Sequence, residues 1–191
     1  MRKFKVLSLI LLSLTVLGCA QLKAVSEANT GSDILSNAEK LKRIESELRA
    51  MPQFQGKSLM VFQQINFFNI GMITVQIEDP DKPGNIDQYT YQGGVWLEPS
   101  PVQISGDGEM KDNLTPLDDV KFETVAIIHK NWKEKAKTVE GAADKEPEMI
   151  YFSLSVQDQQ RSWGATDVPG DRETHSISFN LDGSVKETKK K

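Results

Sequence analysis

Twice along this chain, a stretch with apolar residues at helical spacing gives way to stretches in which apolar and polar residues alternate. This doubled order constrains the fold more than any other feature of the sequence. In the first pass Ile34, Leu35, Ala38, Leu41, Ile44, Glu45 and Leu48 trace one mostly apolar stripe. The stripe predicts a helix over 33–50, capped by Ser32 and ended at Met51-Pro52, because the residue before proline avoids helical geometry. Strands are predicted over 58–68 and 72–77, the second alternating as Ile73, Val75 and Ile77. After the turn-rich run 79–85, strands at 88–92 and 95–97 flank Gly93-Gly94 as a tight hairpin, and 102–105 adds a short edge strand. The polar, glycine-bearing run 105–113 reads as a boundary.

The second pass repeats the order. Thr115-Pro116-Leu117-Asp118 opens a helix in capping-box fashion, or else 120–122 is extended and the helix starts near Glu123. In both cases Val125, Ile128, Trp132 and Ala136 form its apolar stripe. Strands follow over 149–156, 173–181 and 184–187, with Asp182-Gly183 as a hairpin turn. The run 157–164 reads as a polar connection. A helix with one meander cannot bury both of its own faces. The expected fold class is therefore α+β. Two helix-plus-antiparallel-meander units, 33–106 and 107–188, share or stack a sheet, and a basic tail follows at 189–191. Hydrophobic residues make up 38% of the chain, enough for a packed interior.

The first 32 residues read as an address. Arg2, Lys3 and Lys5 precede an apolar run of twelve residues, 6–17. Such a helix would span only about 18 Å, short of a roughly 30 Å hydrocarbon core, so the run fits a signal peptide (1–18) better than a membrane span. The run ends Val16-Leu17-Gly18-Cys19-Ala20, which resembles the bacterial lipobox. That resemblance implies cleavage before Cys19, thioether-linked diacylglycerol on Cys19 and N-acylation, as in palmitate-bearing lipoproteins. Several acyl chains together give stable anchoring. By the enterobacterial sorting rule, Ala20 implies the outer membrane, with the domain in the periplasm or at the cell surface. Residues 19–32 are small and polar and read as a flexible tether.

A second, looser resemblance covers 33–188. Gly94-Val95-Trp96-Leu97, the run from Leu117-Asp118-Asp119-Val120 into the Trp132 helix, and the closing Ile177 to Val185 hairpin resemble tandem PepSY-like and BLIP-like periplasmic domains, the latter named for β-lactamase inhibitor protein. The resemblance implies a binding or inhibitory module and carries no catalytic set.

The formal net charge is −4, and the mature chain is more acidic still, because the signal takes Arg2, Lys3 and Lys5 with it. An acidic chain is a poor nucleic-acid binder, since affinity for phosphate rests on Lys and Arg. Cys19 is the only cysteine, which excludes an intramolecular disulfide. His129 and His175 stand alone, without the spacing of a metal site, and read as structural. Asp79, Asp81, Gly84 and Asp87 suggest a calcium loop, but Pro83 stands at the fifth position, where an oxygen ligand is required, and Thr90 at the twelfth, where Glu is required. Neither a nucleophile elbow nor a phosphate-binding loop is present. The expectation is therefore a chain with no catalytic residues, no metal and no cofactor. Trp163 and Arg161, in a polar run, have the composition of an interface hot spot. These readings favour an envelope lipoprotein that binds another protein. A small-ligand or lipid-binding protein with a cavity between helices and sheet is the alternative.

Overall fold

The computed structural model describes residues 33–106 and 108–191. Among the described residues two α-helices and eleven strands form an α+β fold. Helix α1 spans Ala38–Arg49 and is capped by Asn37, whose Oδ1 accepts the Lys40 N–H at 2.9 Å. The predicted cap Ser32 lies outside the described residues, and 33–36 form a turn ahead of the helix rather than its first turn. Strands β1 (Met60–Phe68), β2 (Met72–Glu78) and β3 (Ile86–Gln92) follow. Two short strands, β4 (Val95–Trp96) and β5 (Ser100–Val102), line the outer edge of β3. The expected edge strand at 102–105 thus falls two residues earlier.

Of the two openings left for the second unit, the later one is observed. Leu114–Pro116 is a strand, β6, and Leu117–Asp119 a single 3-10 turn, so helix α2 spans Thr124–Ala136. Strands β7 (Met149–Ser155), β8 (Gln160–Ala165), β9 (Val168–Pro169), β10 (Thr174–Phe179) and β11 (Val185–Lys190) complete the chain. The basic tail expected at 189–191 turns out to be largely strand: Lys189 pairs with Ser176 and Lys190 with His175, so all but Lys191 belongs to an edge strand. Its lysines keep that edge from pairing further, and Pro101 does so in β5 at the other edge.

One sheet runs through both units in the order β11-β10-β8-β7-β1-β2-β3-β4. Its centre is the antiparallel β1–β7 pair, from Gln64 opposite Ser153 to Phe68 opposite Met149. Outward from this pair, each unit contributes its strands in chain order. The halves are therefore related by an approximate twofold axis through the sheet. The N-terminal part of β1 pairs instead with β6, and a bulge between Val61 and Ile65 marks the change of partner. Gln63 sits there at φ +56°, held by a 2.7 Å hydrogen bond from its amide to Asn113 Oδ1.

Both helices pack on one face of the sheet. Leu41, Ile44 and Leu48 of α1 and Val125, Ile128, Trp132 and Ala136 of α2 join Ile65, Phe67, Ile73, Val75, Ile150, Phe152, Ile177 and Phe179 in one buried cluster. Phe67 and Phe122 meet edge to face at 5.0 Å between centroids. Two indole N–H groups of this layer find carbonyls: Trp132 donates to Thr166 at 2.7 Å, and Trp96 to Ile44 at 3.2 Å. Glu45 is a charged member of the layer, 7% exposed. It accepts the Phe122 N–H at 3.0 Å and Arg49 at 2.9 Å, and Arg49 reaches on to Asp118 and the Leu117 carbonyl. The first helix is thereby bolted to the start of the second unit.

Candidate binding face

Strand periodicity determines what the other face of the sheet presents. Because successive side chains alternate, the residues between the buried ones all point away from the helices. The ladder registers line them up across the sheet. One row runs Thr90, Thr74, Asn66, Tyr151, Gly164, Ser178 and Glu187, each opposite the next. Beside it lie Gln88 opposite Gln76, and Gln64 opposite Ser153, which is opposite Ser162. A third row places Met72 opposite Phe68 and Phe68 opposite Met149, all half-buried. From β3 to β10 the only charge on this face is Glu78, at the end of β2. Glu187 and Lys189 lie on the β11 edge. A quarter of the chain is charged, so this face is compositionally distinct from the rest of the surface.

Tyr151 occupies the centre of the face. A Cβ built on Gly164 would lie 2.4 Å from Tyr151 Cζ and 2.5 Å from its Oη. The ring therefore lies across the glycine and covers backbone that no side chain shields. Asn66 donates to Thr74 Oγ1 at 3.3 Å, and Gln64, Asn66, Thr74, Gln76 and Gln88 surround a dimple of about 30 Å³. Desolvating such uncharged groups costs far less than desolvating ions, and a partner's own donors and acceptors can replace their waters.

Trp163 is a correction. It is 2% exposed, in the middle of β8, with its ring 5.5 Å from Phe152 and 6.0 Å from Phe67. The run 157–164 is a hairpin turn leading into a strand flanked by β7 and β10, not a connection over the surface. Only in its last three residues does the alternation show: Ser162 and Gly164 face out while Trp163 faces the helices. Arg161 also lies on the helix side, where it reaches Thr115 Oγ1 at 3.2 Å and Asp119 at 3.5 Å. The two residues do not form a joint surface. Cys19, the signal 1–18 and the tether 19–32 lie outside the described residues.

Both histidines pair with carboxylates. His129 meets Glu146 at 2.6 Å, and His175 meets Glu173 at 2.8 Å. Hydrogen bonds from His175 and then Lys190 pull the Glu173 carboxyl down to about 2. Burial alone would raise Glu146, but hydrogen bonds from Lys133 and His129 outweigh it and leave the group below the usual carboxylate range. Glu146 separates two open clefts. One, of about 470 Å³, has Lys145, Glu148 and Asp167 on its walls; the other, of about 170 Å³, has Leu35, Ser36 and Asn69. The suspected calcium-loop acids serve as turn formers: Asp79 Oδ1 accepts the Asp81 N–H at 2.9 Å, and Asp81 pairs with Lys57. Among the described residues no group of three or more His, Cys, Asp or Glu could hold a metal ion, and no helix is long and apolar enough to cross a membrane.

No protein-family model matches the chain, and neither a curated protein nor a solved structure matches it.

Proposed function

We propose that this protein is a non-enzymatic cell-envelope lipoprotein, anchored through Cys19, that binds or inhibits another protein with the open face of its sheet. The observation that carries the reading is the uncharged, hydrogen-bonding carpet centred on Tyr151, opposite a helix layer that already buries the apolar side of every long strand except β11. Interface centres are depleted in charge and enriched in aromatic residues and methionine, as this face is. Its size also fits a folded partner. Seven long strands about 4.8 Å apart, each about 20 Å long, give on the order of 700 Å². A standard protein–protein interface takes about 800 Å² from each side. The alternative, a small-ligand or lipid site between helices and sheet, is disfavoured because Trp132, Phe67, Phe122 and Phe152 fill that space.

Photo-crosslinking in cells from Asn66, Thr74 or Ser153, compared with Lys42 and Lys130 on the helix side, tests the assignment. One envelope protein should be captured from the open face alone. The purified pair should bind directly and lose binding on Tyr151→Arg, which places an unpaired charge at the centre of the contact. Equal capture from the helix side, or binding unaffected by Tyr151→Arg, would sink the reading.

A further inference from the structure

The two ends of the sheet differ in chemistry, and the chain enters at one of them. Leu35 and Ser36, among the first described residues, line the same small cleft as Asn69 in the β1–β2 turn. The tether therefore joins the domain at the end that holds this turn. Ile70, at its tip, is 70% exposed, the most of any large hydrophobic residue described. Phe68, Met72 and Met149 continue the apolar surface behind it. Val95, 56% exposed, follows the Gly93-Gly94 turn at the same end. The last three lysines are there too, and the local carboxylates are mostly matched: Asp167 with Lys191 at 2.6 Å, Glu173 with Lys190, and Glu146 with Lys133 at 2.8 Å. Glu148, with Lys145 close by on the same cleft wall, is at this end as well, as are exposed Asp144 and Asp171 and the Glu140–Arg172 pair.

The opposite end carries turns with Asp79, Asp81, Asp158 and Asp182, plus Asp118 and Asp119 beside them. Arg49, Lys57, Lys82 and Arg161 pair with Asp118, Asp81, Asp79 and Asp119, and Asp158 and Asp182 are exposed. Ion pairs are about equally complete at the two ends, so it is the apolar tip at Ile70 and Val95, with the chain entering beside it, that singles out this end for contact with lipid. We infer that the Ile70 end rests on the lipid surface to which Cys19 is anchored, so that the sheet stands upright and its open face points along the membrane. This rests on the lipid-anchor reading above. Thirteen residues separate Cys19 from Asp33. Fully extended they reach no more than about 50 Å, which keeps Ile70 within steady reach of the bilayer.

The test uses the full lipidated chain in vesicles of phosphatidylethanolamine and phosphatidylglycerol. Because the Cys19 thiol is consumed in the thioether, an introduced cysteine is the only one available for an environment-sensitive dye. Dye at Ile70→Cys should emit to the blue and be quenched by lipids carrying nitroxides in their acyl chains, whereas dye at Asp158→Cys should do neither. Dye at Val95→Cys should behave like position 70 and lose its shift when Ile70→Glu is added. A chain that floats with the vesicles but shows the same signal at 70 and 158 overturns the inference and leaves the anchor intact. A chain that does not float, and whose Cys19 takes the dye, removes the anchor and the inference together.

Discussion

Glu45 provides the sharpest test of how the two units are held together. It lies on the apolar stripe of α1, yet its carboxylate is hydrogen-bonded on both oxygens, to the Phe122 N–H and to Arg49. Replacing it with alanine removes a hydrogen bond to a charged acceptor, worth about 1.5–3 kcal/mol, and leaves a buried N–H unpaired at a further ~1–3 kcal/mol. These terms overlap, and Arg49 keeps Asp118 and the Leu117 carbonyl, which moderates the loss. The expected cost of Glu45→Ala is about 3 kcal/mol, a fall in Tm of roughly 6–12 °C for a domain of this size. Glu45→Gln keeps an acceptor for Phe122 and should cost about 1 kcal/mol. Urea unfolding followed by tryptophan fluorescence reads the difference, because Trp132 and Trp163 are both buried. A cost below ~1 kcal/mol for the alanine variant, or equal costs for the two variants, would refute the idea that this carboxylate joins the halves.

Three further outcomes follow from particular contacts. Trp163→Ala should destabilise the fold by about 3–5 kcal/mol in the same unfolding assay, as expected for an emptied core site rather than a lost surface contact. Gly164→Ala should push the Tyr151 ring off the sheet, and its cost should largely vanish in a Tyr151→Ala background, which a double-mutant cycle measures. The Glu173 carboxyl is lowered from 4.5 to about 2 in the folded chain, so its contribution to stability is complete above pH 4.5 and lost as pH falls toward 2. Thermal melts of Glu173→Gln across that window should show a shallower acid loss than those of the unsubstituted chain.

The elements whose periodicity is uninterrupted were legible in the sequence, and those whose signal is split between two faces were not. The alternation of Ile73, Val75 and Ile77 marks β2, and the Val125, Ile128 and Trp132 stripe marks α2, because each has one wet and one dry face. In β8 the dry face is carried by Trp163 and Ala165, with Arg161 at its margin, while Ser162 and Gly164 on the other face give the run a turn-like composition. The glycine is there because Tyr151, thirteen positions earlier, covers it, and that pairing exists only once the β7–β8 register is set. The basic end of the chain misled in the same way. A strand exposed at every position has no apolar period, and β11 is held by main-chain pairing with β10 and an ion pair from Lys190 to Glu173 rather than by apolar burial.

The candidate face was hidden for a related reason. No two of its strands announce it, since each contributes only two or three unremarkable Gln, Asn, Ser or Thr residues at alternate positions. The face exists because β1 and β7 pair at the centre and bring the polar sides of two separate meanders into one plane. That pairing joins residues some 85 positions apart, from Gln64–Ser153 to Phe68–Met149, and depends on a bulge at Gln63 that clears the other half of β1 for β6. Neither unit alone spans enough area for a standard interface: its three or four long strands give on the order of 300–400 Å², no more than half of what one partner usually supplies. If the open face is the working surface, duplication of the helix-plus-meander unit is what makes it large enough. Substitutions that part the units, at Glu45 or at the Gln63 bulge, should then weaken partner binding as they weaken the fold, whereas Tyr151→Arg should weaken binding alone.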